Sequence, residues 1–166
     1  MAEALLVTRN DIVKFTAMNG NVDTDKFIQF VKIAQDIHIQ NYTGTNLINK
    51  IKADILADTL AGNYLSLTEQ YLKPMLIHWA MVEYLPFAAY TIANKGVYKH
   101  SSENSENIDK NEVDFLIEKE RQIAQHYTER FINYITFHSN LFPEYYNNQN
   151  GAVYPDSNNN YTGWYI

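Results

Sequence analysis

Five histidines, one carboxylate inside an apolar run and a scatter of serines are the residues of this chain whose types could do chemistry. A di-metal carboxylate centre in a helical bundle needs a Glu three residues before a His, so that one helix face presents both ligands. Here the residues three before His38, His78, His126 and His138 are Gln35, Met75, Ile123 and Ile135, and Val97 stands in the same relation to His100. None is acidic, and no His-Glu-x-x-His run occurs, so the histidines read as helix-face or core residues. His126 and Glu129 form one adjacent pair, a spacing common on any helix. None of the six glycines belongs to a phosphate-cradling loop, and no Gly-x-Ser-x-Gly elbow presents a serine nucleophile. Cysteine is absent, which removes disulfides, thiolate chemistry and Cys-ligated zinc together. The expectation is a protein that is not an enzyme, with no catalytic residues, no cofactor and no metal.

Glu83 is the odd residue, because it falls between Trp79 and Phe87 in the most apolar part of the chain. A desolvated carboxylate there reads either as a general base or as one half of a buried ion pair, since buried charges need partners. Arg121 and Arg130 are the candidate partners within the chain, and a pairing across a subunit boundary is a third option. The net charge of −6 lacks the basic footprint of a phosphate-backbone binder. Lys119, Arg121 and Arg130 alternate with Glu118, Glu120 and Glu129, which describes a solvated, salt-bridged helix face. Thirteen tyrosines and two tryptophans exceed what a core of this size needs, and aromatic residues are enriched at protein interfaces.

The elements that position these residues are helical by period. At 166 residues, 46% of them apolar, the chain suffices for one domain with a real core. A short helix is expected at about residues 10–18, closed by Asn19-Gly20. Thr24 and Asp25 open a second, with Phe27, Ile28, Phe30, Val31, Ala34 and Ile37 on one side and Gly44 as its end. Thr45 caps a third that stops at Gly62. Ser66 with Glu69 has the form of a capping box and opens residues 67–94, with a kink or a helix–helix junction expected near Leu85 because Pro86 lies deep inside. Gly96 is the expected stop, followed by a short extended piece at 97–100 and a polar, mobile loop at 101–107. Asp109 with Glu112 repeats the capping box and begins the longest helix, to about Asn140. Its expected buried stripe is Val113, Leu116, Ile117, Ile123, Ala124, Tyr127, Phe131, Tyr134 and Ile135.

The fold expected is therefore all-α: an elongated helical bundle of about four to five helices, with a long C-terminal helix and an extended, aromatic, Asn-rich C-terminal arm. The division is residues 1–143 for the helical domain and 144–166 for the arm. Fully extended, that arm reaches on the order of 75 Å, and its aromatic side chains suit docking on a neighbour. Tyr145, Tyr146, Tyr154, Tyr161, Trp164, Tyr165 and Ile166 are the candidate interface residues. No apolar run approaches the roughly 20 residues of a membrane span, and the N-terminus has no signal-like pattern, so the chain reads as soluble and unexported.

Several segments carry a resemblance: Tyr71-Leu72-Lys73-Pro74, Trp79-Ala80, Glu83-Tyr84-Leu85-Pro86 and Asn94-Lys95-Gly96-Val97, in that order. Residues Gln122-Ile123-Ala124-Gln125-His126-Tyr127-Thr128-Glu129-Arg130 and Phe142-Pro143-Glu144-Tyr145 continue it. From about Asp23 onward the chain resembles the head–tail connector (adaptor, or ring) proteins of tailed bacteriophages, particularly those of crAss-like phages of Bacteroides. The resemblance implies a structural virion protein, made in the host bacterial cytoplasm and located at the head–tail junction. It implies a closed ring of copies of itself, commonly twelve, between the portal protein and the tail or further ring proteins. Such a ring extends the DNA channel and offers a platform for tail attachment, with DNA passing through unbound in any specific way and no membrane involved.

A ring needs two different, head-to-tail patches on each subunit. The long helix or the one before it is expected to supply one, and residues 101–107 and 145–166 the contacts to portal or next ring. The alternative reading is a small cytoplasmic helical regulator that binds one protein partner through its aromatic C-terminal tail. A bundle-type ligand-binding protein or enzyme, with His78 and Glu83 lining a pocket, is the remaining class.

Overall fold

A computed structural model describes residues 3–17, 24–88, 90–93, 96–99, 109–147 and 152–158, without the side chains of Thr24 and of the two short strands. The fold is all-α. Its helices are α1 (Arg9–Phe15), α2 (Thr24–Ala34), α3 (Gln40–Leu56), α4 (Gly62–Leu67), α5 (Lys73–Tyr84), α6 (Lys110–Phe137) and a final turn, α7 (Pro143–Tyr146). A hairpin of two four-residue strands, β1 (Tyr90–Ala93) and β2 (Gly96–Lys99), stands between α5 and α6.

α5 is the axis of the molecule. Met75, Leu76, Ile77, Trp79, Ala80, Met81 and Val82 are all buried and point in every direction around it, the signature of a helix enclosed on all sides. α2 and α6 pack on it. Tyr84 closes the α2 side, edge-on to Phe27 at 5.1 Å and to Phe30 at 5.5 Å. Toward α6, Ala124, Thr128, Phe131, Ile132 and Ile135 are buried, and the Trp79 indole N–H donates to Thr128 Oγ1 at 3.0 Å. Thr128 in turn donates to the Ala124 carbonyl at 2.8 Å, so the polar atoms of this buried contact are satisfied within it. Leu116 and Ile123, expected in this stripe, are partly exposed: they lie on the flank of α6, and Thr128 and Ile132 fill the facing positions instead.

Helix ends show where local signals succeed and where packing overrides them. Asp109 and Glu112 form the expected capping box of α6, with the Asp109 N–H donating to Glu112 Oε2 at 2.9 Å. Thr8 and Asp11 form another at the start of α1, where Asp11 sits below its ordinary range. Its partial burial opposes that shift, but the Thr8 N–H and hydroxyl and the nearby Lys73 outweigh it. α1 ends at Phe15, earlier than the expected residue 18.

Ser66 and Glu69 cap nothing. They lie within a helical run that begins at Gly62 and passes through a π turn (Thr68–Leu72) into α5. Glu69 instead pairs with Lys73 at 2.7 Å. The π turn has a local cause: Pro74 has no N–H to give and its ring crowds the carbonyl four residues back, so the turn before it widens. Gly62 opens α4 rather than stopping α3, which ends at Leu56 before a turn with Asp58 in the left-handed region. Nor does the fifth helix continue to residue 94. Pro86 ends it in a 3-10 turn (Leu85–Phe87), and the β-branched and aromatic Tyr90-Thr91-Ile92-Ala93 pairs antiparallel with Gly96–Lys99. Gly96 thus begins a strand, and part of the expected extended piece is real. The expected loop at 101–107 lies outside the described residues.

Candidate functional site at the Gly44 kink

The run from Thr24 to Leu56 bends twice, and both bends hold something. The first is a π turn, Gln35–Ile39, between α2 and α3. Gln35 is wholly buried there and bonds the N-terminal segment on both edges: its Nε2 donates to the Ala4 carbonyl and its Oε1 accepts from the Leu6 N–H, each at 3.0 Å. His38, in the same turn, stacks on the Trp79 ring with centroids 3.9 Å apart. Its Nε2 lies 2.8 Å from Glu83 Oε1. The second bend is at Gly44, with φ 74° and ψ 162°, a conformation that only glycine adopts without strain.

The C-terminal segment sits in that second bend. The Thr45 N–H donates to the Val153 carbonyl at 3.1 Å, the Val153 N–H donates to Thr45 Oγ1 at 3.0 Å, and the Asp156 N–H donates to the Asn41 carbonyl at 2.8 Å. Asn46 Nδ2 donates to the Asn147 carbonyl. A Cβ on residue 44 would stand 2.9 Å from both Cγ and Cδ of Pro155. The glycine is therefore required twice, by its backbone angles and by the proline against it. Together, residues 152–158 form a strap across the kink, held by main-chain hydrogen bonds on one side and a single proline ring on the other.

Glu83 pairs with His38, and neither Arg121 nor Arg130 is its partner. Arg121 bonds Glu118 at 2.9 Å on its own helix, and the Arg130 guanidinium lies 5.6 Å from the ring centres of both Tyr71 and Tyr127. α5 carries Glu83 toward the π turn and His78 toward α6, where His78 Nδ1 meets Glu120 Oε2 at 2.8 Å and the imidazole stacks on Tyr127 at 5.3 Å. Glu83 and His78 of this enclosed helix thus face partners on two different neighbours. The π turn brought His38 into reach of Glu83, and nothing in the residue spacing pairs the two.

Of the candidate interface residues, Tyr145 is not on a surface. α7 inserts it into the core edge-on to Phe131, and its burial pushes the phenol up to about 12. Tyr64 donates to Glu144 at 2.6 Å and packs edge-on to Phe142, so the first turn of the expected arm belongs to the bundle. Tyr146 and Tyr154 are exposed, Tyr154 by 69%. Tyr161, Trp164, Tyr165 and Ile166 lie outside the described residues. The described residues up to 158 are fastened to the helical body. Gly44 breaks the helix where the sequence places an end, and Thr45 starts the next stretch; that Pro155 seats in this break, which makes the three residues a site, has no local signal in the sequence.

Among the described residues no group of three or more His, Asp or Glu side chains is placed to hold a metal ion. No helix among them is long and apolar enough to cross a membrane. Fold and site together define an all-helical protein whose C-terminal segment is received by a kink in its own second helical run. Residues 39–155 match the model of a family described only as a family of unknown function, DUF6712, and the chain belongs to that family. The matched region starts in the π turn and ends at Pro155, so both sides of the Gly44–Pro155 contact lie within it. No curated protein and no solved structure matches the chain.

Proposed function

We propose that this protein is a structural virion component, a ring subunit between the portal and the tail of a bacteriophage that extends the DNA channel and offers a platform for tail attachment. One observation carries the reading beyond the sequence resemblance: each subunit exposes apolar residues on two separate helices. On α6, Phe115, Leu116, Ile123 and Phe137 are exposed and fall within about 100° of the helix circumference. Ile33 and Ile37 are exposed one turn apart on α2 and its π turn. Both helices pack on α5, so their outer faces are different surfaces of the subunit. A closed ring of head-to-tail subunits uses two unlike patches in this way. Phe137, at 84% exposure, is the most solvated large apolar residue among those described, at the end of a helix about 42 Å long. The net charge of −6 suits a channel wall past which DNA slides.

The test is assembly with the portal protein of the same genome, imaged by electron microscopy. A closed ring stacked on the portal is the expected result. An intact portal that recruits no ring would overturn the reading in favour of a regulator that binds a single partner.

A further inference from the structure

The strap in the Gly44 kink is held in a manner that does not depend on which copy supplies it. Its capture uses the backbone of Val153 and Asp156 and the ring of Pro155, while Val153 and Tyr154 turn exposed side chains outward. Main-chain capture of an extended segment, with one side chain filling a notch, is a mode by which proteins bind peptides supplied in trans. A short tether holds such a segment at an effective concentration in the millimolar range. A second copy competes for the notch when it is concentrated to that level, as it is when two subunits are held side by side.

We infer that the Gly44 kink is a peptide-receiving site and that its occupant in the assembled protein is the strap, residues 152–158, of a second copy of this chain. The inference rests on the ring reading for the place where copies are held together. It also constrains the interface. Four residues separate Asn147, bonded to Asn46, from Ala152, and the chain between them spans at most about 17 Å. A strap seated in a neighbour therefore keeps the end of the donor's α7 within about 17 Å of the strap's first residue on the acceptor.

The chain has no cysteine, so engineered thiols report unambiguously. One full-length chain carries Asn41→Cys and a second carries Asp156→Cys, positions whose backbones meet at 2.8 Å. The two are mixed and oxidised, both free in solution and on the portal. The expected result is a covalent heterodimer as a major product near about 1 mM and little of it at micromolar concentration. Gly44→Ala in the Asn41→Cys chain is expected to suppress it, because the added Cβ meets Pro155. A single chain carrying both thiols measures closure within one molecule. If that chain closes and the mixture gives no heterodimer at any concentration or on the portal, exchange is overturned. If neither forms, the seating of the strap at Asn41 is itself wrong and the inference falls with it. Ring formation is read separately by microscopy: a ring without heterodimer rejects the exchange alone, and a heterodimer without a ring rejects the connector reading.

Discussion

Gly44 and Tyr145 show two different ways in which one residue can be constrained by its surroundings. Gly44 sits where an L side chain meets both backbone strain and the Pro155 ring. Gly44→Ala is expected to cost about 1–3 kcal/mol, measured as a shift of the denaturant midpoint at constant slope. Adding Pro155→Gly should recover part of that loss, since the steric share is coupled and the φ share is not; strictly additive effects in the double-mutant cycle would rule out the contact. Tyr145 is the reverse case. Its hydroxyl is buried with no hydrogen-bond partner among the described residues, so Tyr145→Phe should raise stability by about 1 kcal/mol.

The pH dependence of that tyrosine follows from the direction of its shift. Burial raises the phenol from 10.0 to about 12, so the unfolded chain ionises first. The contribution of the neutral phenol is whole below pH 10 and is lost as pH rises toward 12. Tyr145→Phe should flatten this part of the alkaline stability curve, followed by circular dichroism. An unchanged curve would mean that the ring is not buried as described.

At the scale of elements, capping sets the starts of α1 and α6, proline sets the bounds of α5 and the start of α7, and the departures have local causes. Asp109 was legible as an N-cap because the box it forms with Glu112 needs only three residues of context. Asp109→Ala is expected to cost about 1 kcal/mol and to fray the first turn of α6, which amide exchange would detect. The box suggested by Ser66 and Glu69 failed because the same pattern also fits mid-helix, and the π turn ahead of Pro74 let the helix run on. The first strand of the hairpin, Tyr90–Ala93, falls where the sequence predicts the tail of a helix, since its apolar content satisfies either period over so short a stretch, while the second overlaps the extended piece expected at 97–100.

At the scale of the whole molecule, the protein has a buried axis, α5, and two flanking helices that each turn apolar residues outward. Those residues contribute little to the fold, and on the proposed ring reading they form its contacts. Phe115→Ser with Phe137→Ser should change unfolding free energy by less than about 0.5 kcal/mol each while abolishing ring formation on the portal. Rings of normal size and occupancy from the double variant would exclude the outer face of α6 as an interface.

The helical class, the long helix α6 and its cap, and the absence of thiol chemistry were determined by composition and local pattern alone, because helix period and capping act within a few residues. The partner of Glu83 was not, and the reason is physical. His38 and Glu83 are 45 residues apart, and a π turn, which displaces every following side chain around the helix, decides that they meet. The C-terminal arm makes the same point at longer range. Its polar, breaker-rich sequence carries no period, so only the tertiary fold could show that residues 152–158 return across more than a hundred residues to a kink that one glycine keeps open.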